Sequence, residues 1–267
     1  MAFEVTHLVH PDVAAQAALA ARVIGLDIAG IDLVAEDISR PLEEQGGAIV
    51  EVNAGPGLIM HLKPAVGEPQ PVGAAIVEHL FPNHTDGRIP IVGVTGSRGK
   101  TMVAQLTTHL MQLTGMKVGL ACSKGAYFNQ RLQTPGNCAN WTSGNRILLN
   151  RQVEAAVFEN DSRTILNEGL AYDRCAVGIV TNLDPTDTVP ECSITEPEQI
   201  YNVMRTQVDV VLPTGAAVLN ADDEAVAKMA ELSDGEVIFF SKHGLNSITK
   251  DHLAKGGKAV FTENDTI

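Results

Sequence analysis

A glycine-rich loop between a short apolar run and a helical pattern constrains this chain more than any other feature. It reads Gly93-Val-Thr-Gly-Ser-Arg-Gly-Lys-Thr101, after Ile91-Val92 and before the periodic segment 102–113. The glycines at 96 and 99 allow backbone N–H groups to approach an anion, and the positive end of the following helix lies at the same place. The sequence therefore predicts a strand, a phosphate-binding loop and a helix in succession.

The side chains of the loop indicate which phosphate compound it binds. Lys100 can reach the β- and γ-phosphates of ATP, and the Thr101 hydroxyl can bind Mg²⁺. The residues expected to bind the nucleotide are Gly96, Ser97, Arg98, Gly99, Lys100 and Thr101. A chance glycine-rich turn is the alternative, and the combination of strand, Lys-Thr and helix argues against it.

Composition and charge exclude several classes of function. The 267 residues are 45% hydrophobic and 19% charged, as in globular proteins of one large domain or two smaller ones. The net charge of −13 and the 19 scattered basic residues argue against a nucleic-acid partner. The sequence has no apolar run of 18 residues and no leader pattern, so we expect a cytoplasmic protein without a membrane partner. The four cysteines lie far apart and are expected to be reduced.

The turn-rich segment 81–90, with two prolines and a glycine, is expected to separate two domains, 1–85 and 86–267. In the second domain, apolar runs alternate with helical segments, which predicts an α/β fold with a mainly parallel sheet. Segment 124–150 is expected to be irregular. The predicted elements of the first domain are a helix over 11–25, strands over 31–34 and 48–53, and a helix over 74–80. Those of the second are strands over 91–95, 118–121, 155–159, 177–182, 217–220 and 237–240, and helices over 100–113, 198–208 and 224–232.

A carboxylate closes the predicted strand 155–159. If this strand neighbours the first one, Glu159 lies beside the phosphate loop, where Mg²⁺ takes one or two carboxylates together with phosphate oxygens. An exposed glutamate at the end of a strand is the alternative. Because phosphoryl transfer depends mostly on positioning and charge neutralisation, we expect Lys100 and Glu159 to be the catalytic residues.

Several motifs resemble a known family. The loop spacing is similar to the nucleotide loop of Mur ligases, G-x-T-G-T-N-G-K-T, with Arg98 in place of asparagine. The stretch 153–182 resembles the Mur-ligase-like domain of cyanophycin synthetases, although Glu159-Asn-Asp-Ser-Arg-Thr164 stands where many members have E-T-A-R-G-G. The resemblance implies a Mur-ligase central fold in which Glu159 holds Mg²⁺, and in which Asp187 replaces a metal-binding histidine.

The segment Asn220-Ala-Asp-Asp223 matches the N-x-D-D motif of the same family. The resemblance implies that Asn220 contacts adenine and that Asp223 belongs to the nucleotide site. Taken alone, a strand followed by Asn and Asp is a common helix N-cap. Its order after the phosphate loop and Glu159 favours the functional interpretation.

Three oxygen-bearing side chains fall on the predicted strands of the first domain. Glu51 and Asn53 share a face of one strand, and Asp32 lies on a neighbouring strand, so all three can bind Mg²⁺. Surface acids beside a loop are the alternative. The runs 25–34 and 46–57 resemble the closing part of an ATP-grasp domain, as in cyanophycin synthetases. This resemblance implies a partial ATP-grasp α+β segment with the same three metal ligands.

The resemblance covers nearly the whole chain, in the middle of a longer architecture, and implies a fragment, a split-gene product or a truncated copy. It implies an ATP- and Mg²⁺-dependent ligase that joins Asp and Arg through an acyl phosphate on a cyanophycin-like polymer primer. One alternative is a non-catalytic nucleotide-binding chain that forms a homo-oligomer or pairs with a longer synthetase. Another is a different P-loop kinase or NTPase.

Overall fold

The computed structural model describes residues 1–263 and 266–267, and the chain forms two compact units. The first unit spans residues 1–88 and the second 89–267. The division therefore lies three residues beyond the boundary predicted at 85, inside the turn-rich segment.

The first unit combines one long helix with a two-stranded antiparallel sheet and shorter helices. Its elements are α1 (Pro11–Ile24), β1 (Gly30–Val34), β2 (Ala48–Asn53), α2 (Ile59–Leu62), α3 (Val72–Leu80) and the 3-10 helices Thr6–Leu8, Glu43–Gln45 and Pro82–His84. The helix α1 ends at Gly25, whose φ of 81° is a left-handed conformation that glycine adopts without strain. Among the described residues of this unit, only Val13 and Leu42 are buried hydrophobic side chains, so its core is small.

The second unit is a large sheet covered by helices. Its strands are β3 (Ile91–Thr95), β4 (Val118–Cys122), β5 (Gly125–Phe128), β6 (Arg131–Pro135), β7 (Ala155–Glu159), β8 (Cys175–Val180), β9 (Val211–Asn220), β10 (Glu236–Ser241) and β11 (Lys258–Phe261). Its helices are α4 (Lys100–Leu113), α5 (Trp141–Leu148), α6 (Ser162–Asn167), α7 (Pro197–Met204), α8 (Thr206–Asp209), α9 (Glu224–Lys228), α10 (Ser247–Ala254) and the 3-10 helices Pro190–Cys192 and Met229–Leu232.

The phosphate-loop strand lies at the centre of this sheet. In the described part of the chain the strand order is β11-β10-β9-β8-β3-β7-β4-β5-β6. Neighbouring strands are parallel from β11 to β4, and β5 and β6 add an antiparallel edge. Every residue of β3, β4 and β7 is buried, as expected for parallel strands covered on both faces. The prediction of an α/β fold with a mainly parallel sheet is confirmed.

Two sequence predictions about the second unit were wrong. Segment 124–150 is not irregular, because it contains the hairpin β5–β6 and the helix α5. Asn129 forms the hairpin turn at a φ of 51°, and Asn140 caps α5 by accepting the Ser143 N–H. The predicted helix 198–208 is two helices, α7 and α8, which meet at Arg205.

None of the helices in residues 1–263 and 266–267 combines the length and the apolar character needed to cross a bilayer.

The four cysteines are free thiols that differ in burial, which makes their reactivity a test of the fold. Cys122, Cys138 and Cys175 are buried, whereas Cys192 is partly exposed. Burial raises the pKa of Cys175 to about 12 and also raises the pKa of Cys122. A thiol at pKa 12 has a thiolate fraction on the order of a thousandfold below that of a thiol at pKa 9.

We therefore expect Ellman's reagent at pH 8 to modify one thiol of the native chain rapidly, and the other three only after unfolding. The variant Cys192→Ser should lack the rapid phase. Rapid modification of two or more thiols in native buffer would contradict the burial described here.

Candidate nucleotide-binding site

The loop between β3 and α4 is a tight backbone turn that only glycine permits at two positions. Gly96 has a φ of 133° and Gly99 a φ of 84°, both outside the range that other residues adopt readily. A Cβ atom on Gly96 would lie 2.1 Å from the Thr181 hydroxyl oxygen. Gly96 therefore allows the loop to lie directly against the end of β8.

Lys100, the first residue of α4, folds back over this loop. Its Nζ donates to the carbonyl oxygens of Gly96 at 2.7 Å and Ser97 at 3.3 Å. The ammonium group is thus fixed above a helix N-terminus, where backbone N–H groups and the helix dipole also favour an anion. This is the position from which a lysine can neutralise bound phosphate.

Glu159 lies beside the phosphate loop, as predicted from the position of its strand. β7 is hydrogen-bonded to β3, and the residue Glu159 is only 5% exposed. Its Oε1 accepts a hydrogen bond from the Thr101 hydroxyl at 2.9 Å, and its Oε2 accepts one from the Ser123 N–H at 2.8 Å. The alternative of an exposed strand-end glutamate is therefore wrong.

Ser123 also belongs to this cluster, although no motif in the sequence identifies it. Its hydroxyl lies 2.9 Å from the hydroxyl of Thr101, and its N–H binds Glu159. The signal that could have identified it is its place directly after β4, since the carboxyl ends of neighbouring parallel strands meet at one edge of the sheet.

Asn182, two residues after β8, holds the loop from the other side. Its side-chain Oδ1 accepts the Arg98 N–H and its Nδ2 donates to the Arg98 carbonyl oxygen, both at 2.9 Å. Its backbone carbonyl accepts the Ser97 N–H at 2.9 Å. Three hydrogen bonds from one residue thus fix the conformation of Ser97 and Arg98.

Asp184 forms a further link between the loop and the segment after β8. Its backbone N–H donates to the Ser97 hydroxyl at 2.8 Å, and its carboxylate pairs with the Arg98 guanidinium at 2.6 Å. Hydrogen bonds from Thr186, together with the charge of Arg98, lower the pKa of Asp184. Because the Arg98 side chain is 80% exposed, the ion pair is screened by solvent and contributes little to stability.

Asp187 follows on the same segment, and its backbone N–H donates to the Asp184 carbonyl oxygen at 2.9 Å. Among the described residues no hydrogen bond joins its side chain to Glu159 or Thr101. Its role as a metal ligand therefore stays a prediction.

The Asn-Ala-Asp-Asp segment at the end of β9 contacts the segment that follows β8. Asn220 Nδ2 donates to the Thr181 carbonyl oxygen at 2.9 Å. Asp223 caps α9 by accepting the N–H groups of Ala225 and Val226, and its second oxygen accepts the Leu183 N–H at 2.7 Å. Asp223 is thus both a helix N-cap and part of the frame around the loop, while the adenine contact of Asn220 stays a prediction.

The chemistry of the Glu159 cluster fits a magnesium ion. A buried carboxylate beside a threonine hydroxyl offers the hard oxygen ligands that Mg²⁺ prefers, and phosphate and water complete its coordination. In the described part of the chain no group of three or more His, Cys, Asp or Glu side chains is arranged to hold a metal. At a site with one carboxylate, phosphate oxygens and water would supply the remaining ligands of a bound Mg²⁺.

The first unit brings its three predicted metal ligands together. Asp32 on β1 lies directly opposite Glu51 on β2, and Asn53 Nδ2 donates to Asp32 Oδ2 at 3.3 Å. Two carboxylates directly opposite each other repel, and a cation between them would relieve the repulsion. Both acids are exposed, so the alternative of surface acids stays open as well.

The sequence profile of the Mur ligase middle domain matches residues 94–265. This match begins within the phosphate-loop strand and includes Lys100, Glu159, Asn182 and the β9 motif, which the fold brings to one sheet edge. It covers more than half of the chain. The chain belongs to the Mur ligase family.

Cyanophycin synthetases are similar to this chain over nearly its whole length. The sequence is 40% identical to the cyanophycin synthetase of Nostoc sp. (strain PCC 7120) over 97% of the chain, and 41% identical to that of Synechocystis sp. (strain PCC 6803) over 99%. The chain spans 29% and 30% of the length of these two relatives.

A solved Mur ligase shares the fold. The structure of a UDP-N-acetylmuramoyl-L-alanyl-D-glutamate–2,6-diaminopimelate ligase superposes with a TM-score of 0.51 at 18% identity. The similarity covers 64% of this chain and 35% of that structure.

Proposed function

We propose that this chain provides the nucleotide-binding part of an ATP-dependent carbon–nitrogen ligase of the cyanophycin synthetase type. The observation that carries the proposal is the 2.9 Å hydrogen bond between Glu159 and Thr101, directly beside the lysine that covers the phosphate loop. This contact brings a carboxylate, a hydroxyl and an ammonium group together around one helix N-terminus, which supports a site for Mg²⁺ and phosphate.

In the proposed reaction, a substrate carboxylate attacks the γ-phosphorus of ATP, and ADP leaves. An amine then attacks the carbonyl carbon of the acyl phosphate, the C–N bond forms, inorganic phosphate leaves, and the amine loses a proton. The loop N–H groups and Lys100 would neutralise the phosphate oxygens, and Glu159 and Thr101 would hold Mg²⁺. When bound, Mg²⁺ withdraws charge from the β- and γ-phosphates.

The substrates we propose are aspartate, arginine and a cyanophycin-like polymer primer. The support is the identity of 40–41% to cyanophycin synthetases over 97% or more of the chain. We further propose that the first unit is the closing part of an ATP-grasp domain, in which Asp32, Glu51 and Asn53 would bind a second Mg²⁺. The convergence of these three side chains on one face of the β1–β2 sheet supports this assignment.

A second candidate function is non-catalytic: the chain binds nucleotide and associates with a longer synthetase or with its own copies. The chain aligns with 29–30% of the relatives' length. ADP release that requires Asp, Arg and primer would exclude it. ADP release with a hydroxyl acceptor would instead indicate a kinase.

The experiment that tests the proposed function is a calorimetric titration of Mg-ATP into the purified chain. We expect saturable binding to one site, weakened at least tenfold when EDTA removes the metal, because Glu159 and Thr101 then lose the cation that joins them to the phosphates. The variant Lys117→Ala, which changes an exposed ion pair with Glu154, is a matched control and should bind like the wild type. A folded chain that shows no binding would overturn the proposal.

A further inference from the structure

A set of buried, mutually hydrogen-bonded polar side chains lies directly behind the end of β7, and one of them, Gln207, also donates through Nε2 to Cys175 Sγ at 3.4 Å. Asn160, the residue after Glu159, donates through Nδ2 to the Tyr172 hydroxyl at 2.8 Å and to Gln207 Oε1 at 2.9 Å. The Tyr172 hydroxyl donates to the same Gln207 oxygen at 2.8 Å. We call these three residues the buried amide network. All three are less than a tenth exposed, and Gln207 is completely buried.

The network holds the strand end from one side of the sheet. Successive side chains along a strand point to opposite faces, so Asn160 reaches the network while Glu159 faces Thr101 and Ser123. The backbone of Asn160 is also fixed: its N–H donates to the Val94 carbonyl oxygen, and its own carbonyl oxygen accepts the Thr95 hydroxyl, both at 2.8 Å. The backbone of Asn160 is thus bonded to the phosphate-loop strand, and its side-chain Nδ2 is bonded to the other two members of the network.

Space for the network comes from the first glycine of the loop motif. A Cβ atom on Gly93 would lie 2.0 Å from the Tyr172 hydroxyl oxygen and 2.3 Å from Gln207 Oε1. The network therefore touches β3 as well as β7, which are the two strands that carry Lys100's loop and Glu159. Burial also raises the pKa of Tyr172, so its hydroxyl keeps the proton that it donates to Gln207.

We infer that Asn160, Tyr172 and Gln207 are positioning residues that fix the end of β7 and thereby hold the Glu159 carboxylate at its metal-binding place. None of the three touches the phosphate loop's anion-binding face; they act through the backbone between Glu159 and Asn160. Buried, fully satisfied networks of this kind rigidify their surroundings. The inference deepens the proposed function. Only the part that concerns Mg²⁺ binding by Glu159 rests on that function.

The variant Tyr172→Phe tests the inference because it removes one hydroxyl and keeps the ring stacked on Phe158 at 5.4 Å. The first measurement is amide hydrogen exchange by NMR in the absence of nucleotide. Because the Ser123 N–H binds Glu159, its exchange should be three- to tenfold faster in the variant, relative to the Leu120 amide in the core of β4. Tyr201→Phe is the matched control, since the described residues offer no hydrogen bond to the Tyr201 hydroxyl.

The second measurement is the Mg²⁺ concentration that gives half-maximal ATP binding, which should rise three- to tenfold in Tyr172→Phe and stay unchanged in Tyr201→Phe. If the network only stabilised the fold as a whole, amide exchange would become faster at Ser123 and at Leu120 by the same factor. That result, or an unchanged Mg²⁺ requirement in a variant that still binds ATP, would overturn the inference. If the wild type binds no Mg-ATP, the proposed function fails, and the relative exchange of Ser123 alone decides whether the network positions Glu159.

Discussion

Replacing Lys100 with alanine is expected to weaken Mg-ATP binding by roughly one to two orders of magnitude. The reason is the loss of a charged donor held above the phosphate loop by Gly96 and Ser97. A hydrogen bond to a charged group contributes about 1.5–3 kcal/mol, and each 1.4 kcal/mol corresponds to a factor of ten. If the chain turns over ATP, kcat should fall by about a hundredfold or more, because the lysine stabilises charge in the transition state.

Calorimetry and ADP-release assays on the same protein preparation measure both effects. Lys117→Ala again serves as the control for losing one positive charge, because this residue directly precedes β4 and lies at the opposite end of that strand from Ser123. If affinity and turnover were unchanged in Lys100→Ala, the loop between β3 and α4 would not be the nucleotide-binding site, and the proposed function of this loop would be wrong.

Among the substitutions proposed for this chain, Gly93→Ala is expected to lower the free energy of unfolding most. The new methyl group would lie 2.0 Å from the Tyr172 hydroxyl oxygen and within 2.4 Å of both side-chain amide atoms of Gln207. Overpacking of a core costs about 1–3 kcal/mol, and each buried hydrogen bond left without its partner costs about 1–3 kcal/mol more. We expect the free energy of unfolding to fall by about 3–6 kcal/mol, enough to leave many domains unfolded at 37 °C.

Urea unfolding followed by circular dichroism measures this loss. Gly73→Ala is a suitable control because Gly73 lies in α3 with nothing within 4 Å of the added atom. Alanine there should be neutral or stabilising by about 0.5–1 kcal/mol. A loss below 1 kcal/mol in Gly93→Ala would mean that the buried amide network can move aside, and it would count against the rigidity assumed above.

The sequence was sufficient for elements whose local signals agree with their tertiary surroundings. The strands 91–95 and 155–159 and the helix 100–113 have the predicted bounds, because apolar runs and glycine punctuation mark them directly. The hairpin β5–β6 was missed because β6 is exposed along its whole length and its sequence, Arg-Leu-Gln-Thr-Pro, contains no apolar run. Such strands form because they pair with the edge of an existing sheet, and the local sequence pattern does not indicate this pairing.

The residues of the candidate site also fall into two groups, those that local sequence signals mark and those that meet only in the folded chain. Lys100, Thr101 and Glu159 were predictable, because a loop motif and a strand-end carboxylate are local features. Ser123 was not, because nothing local distinguishes one serine after a strand from another. The buried amide network was also invisible, since its members are 12 to 47 residues apart in the chain and meet only in the folded sheet.

The central place of β3 in the sheet has a kinetic consequence. The contact of Glu159 with Thr101 joins residues 58 apart in the chain, and that of Asn182 with Arg98 joins residues 84 apart. Both form only when β7 and β8 have been added on either side of β3, and contacts of such sequence separation form slowly. A chain emerging from the ribosome would therefore complete the proposed nucleotide site late, after the strand β8 has been synthesised and paired. ATP that binds this site would stabilise the finished sheet and would not assist the first steps of folding.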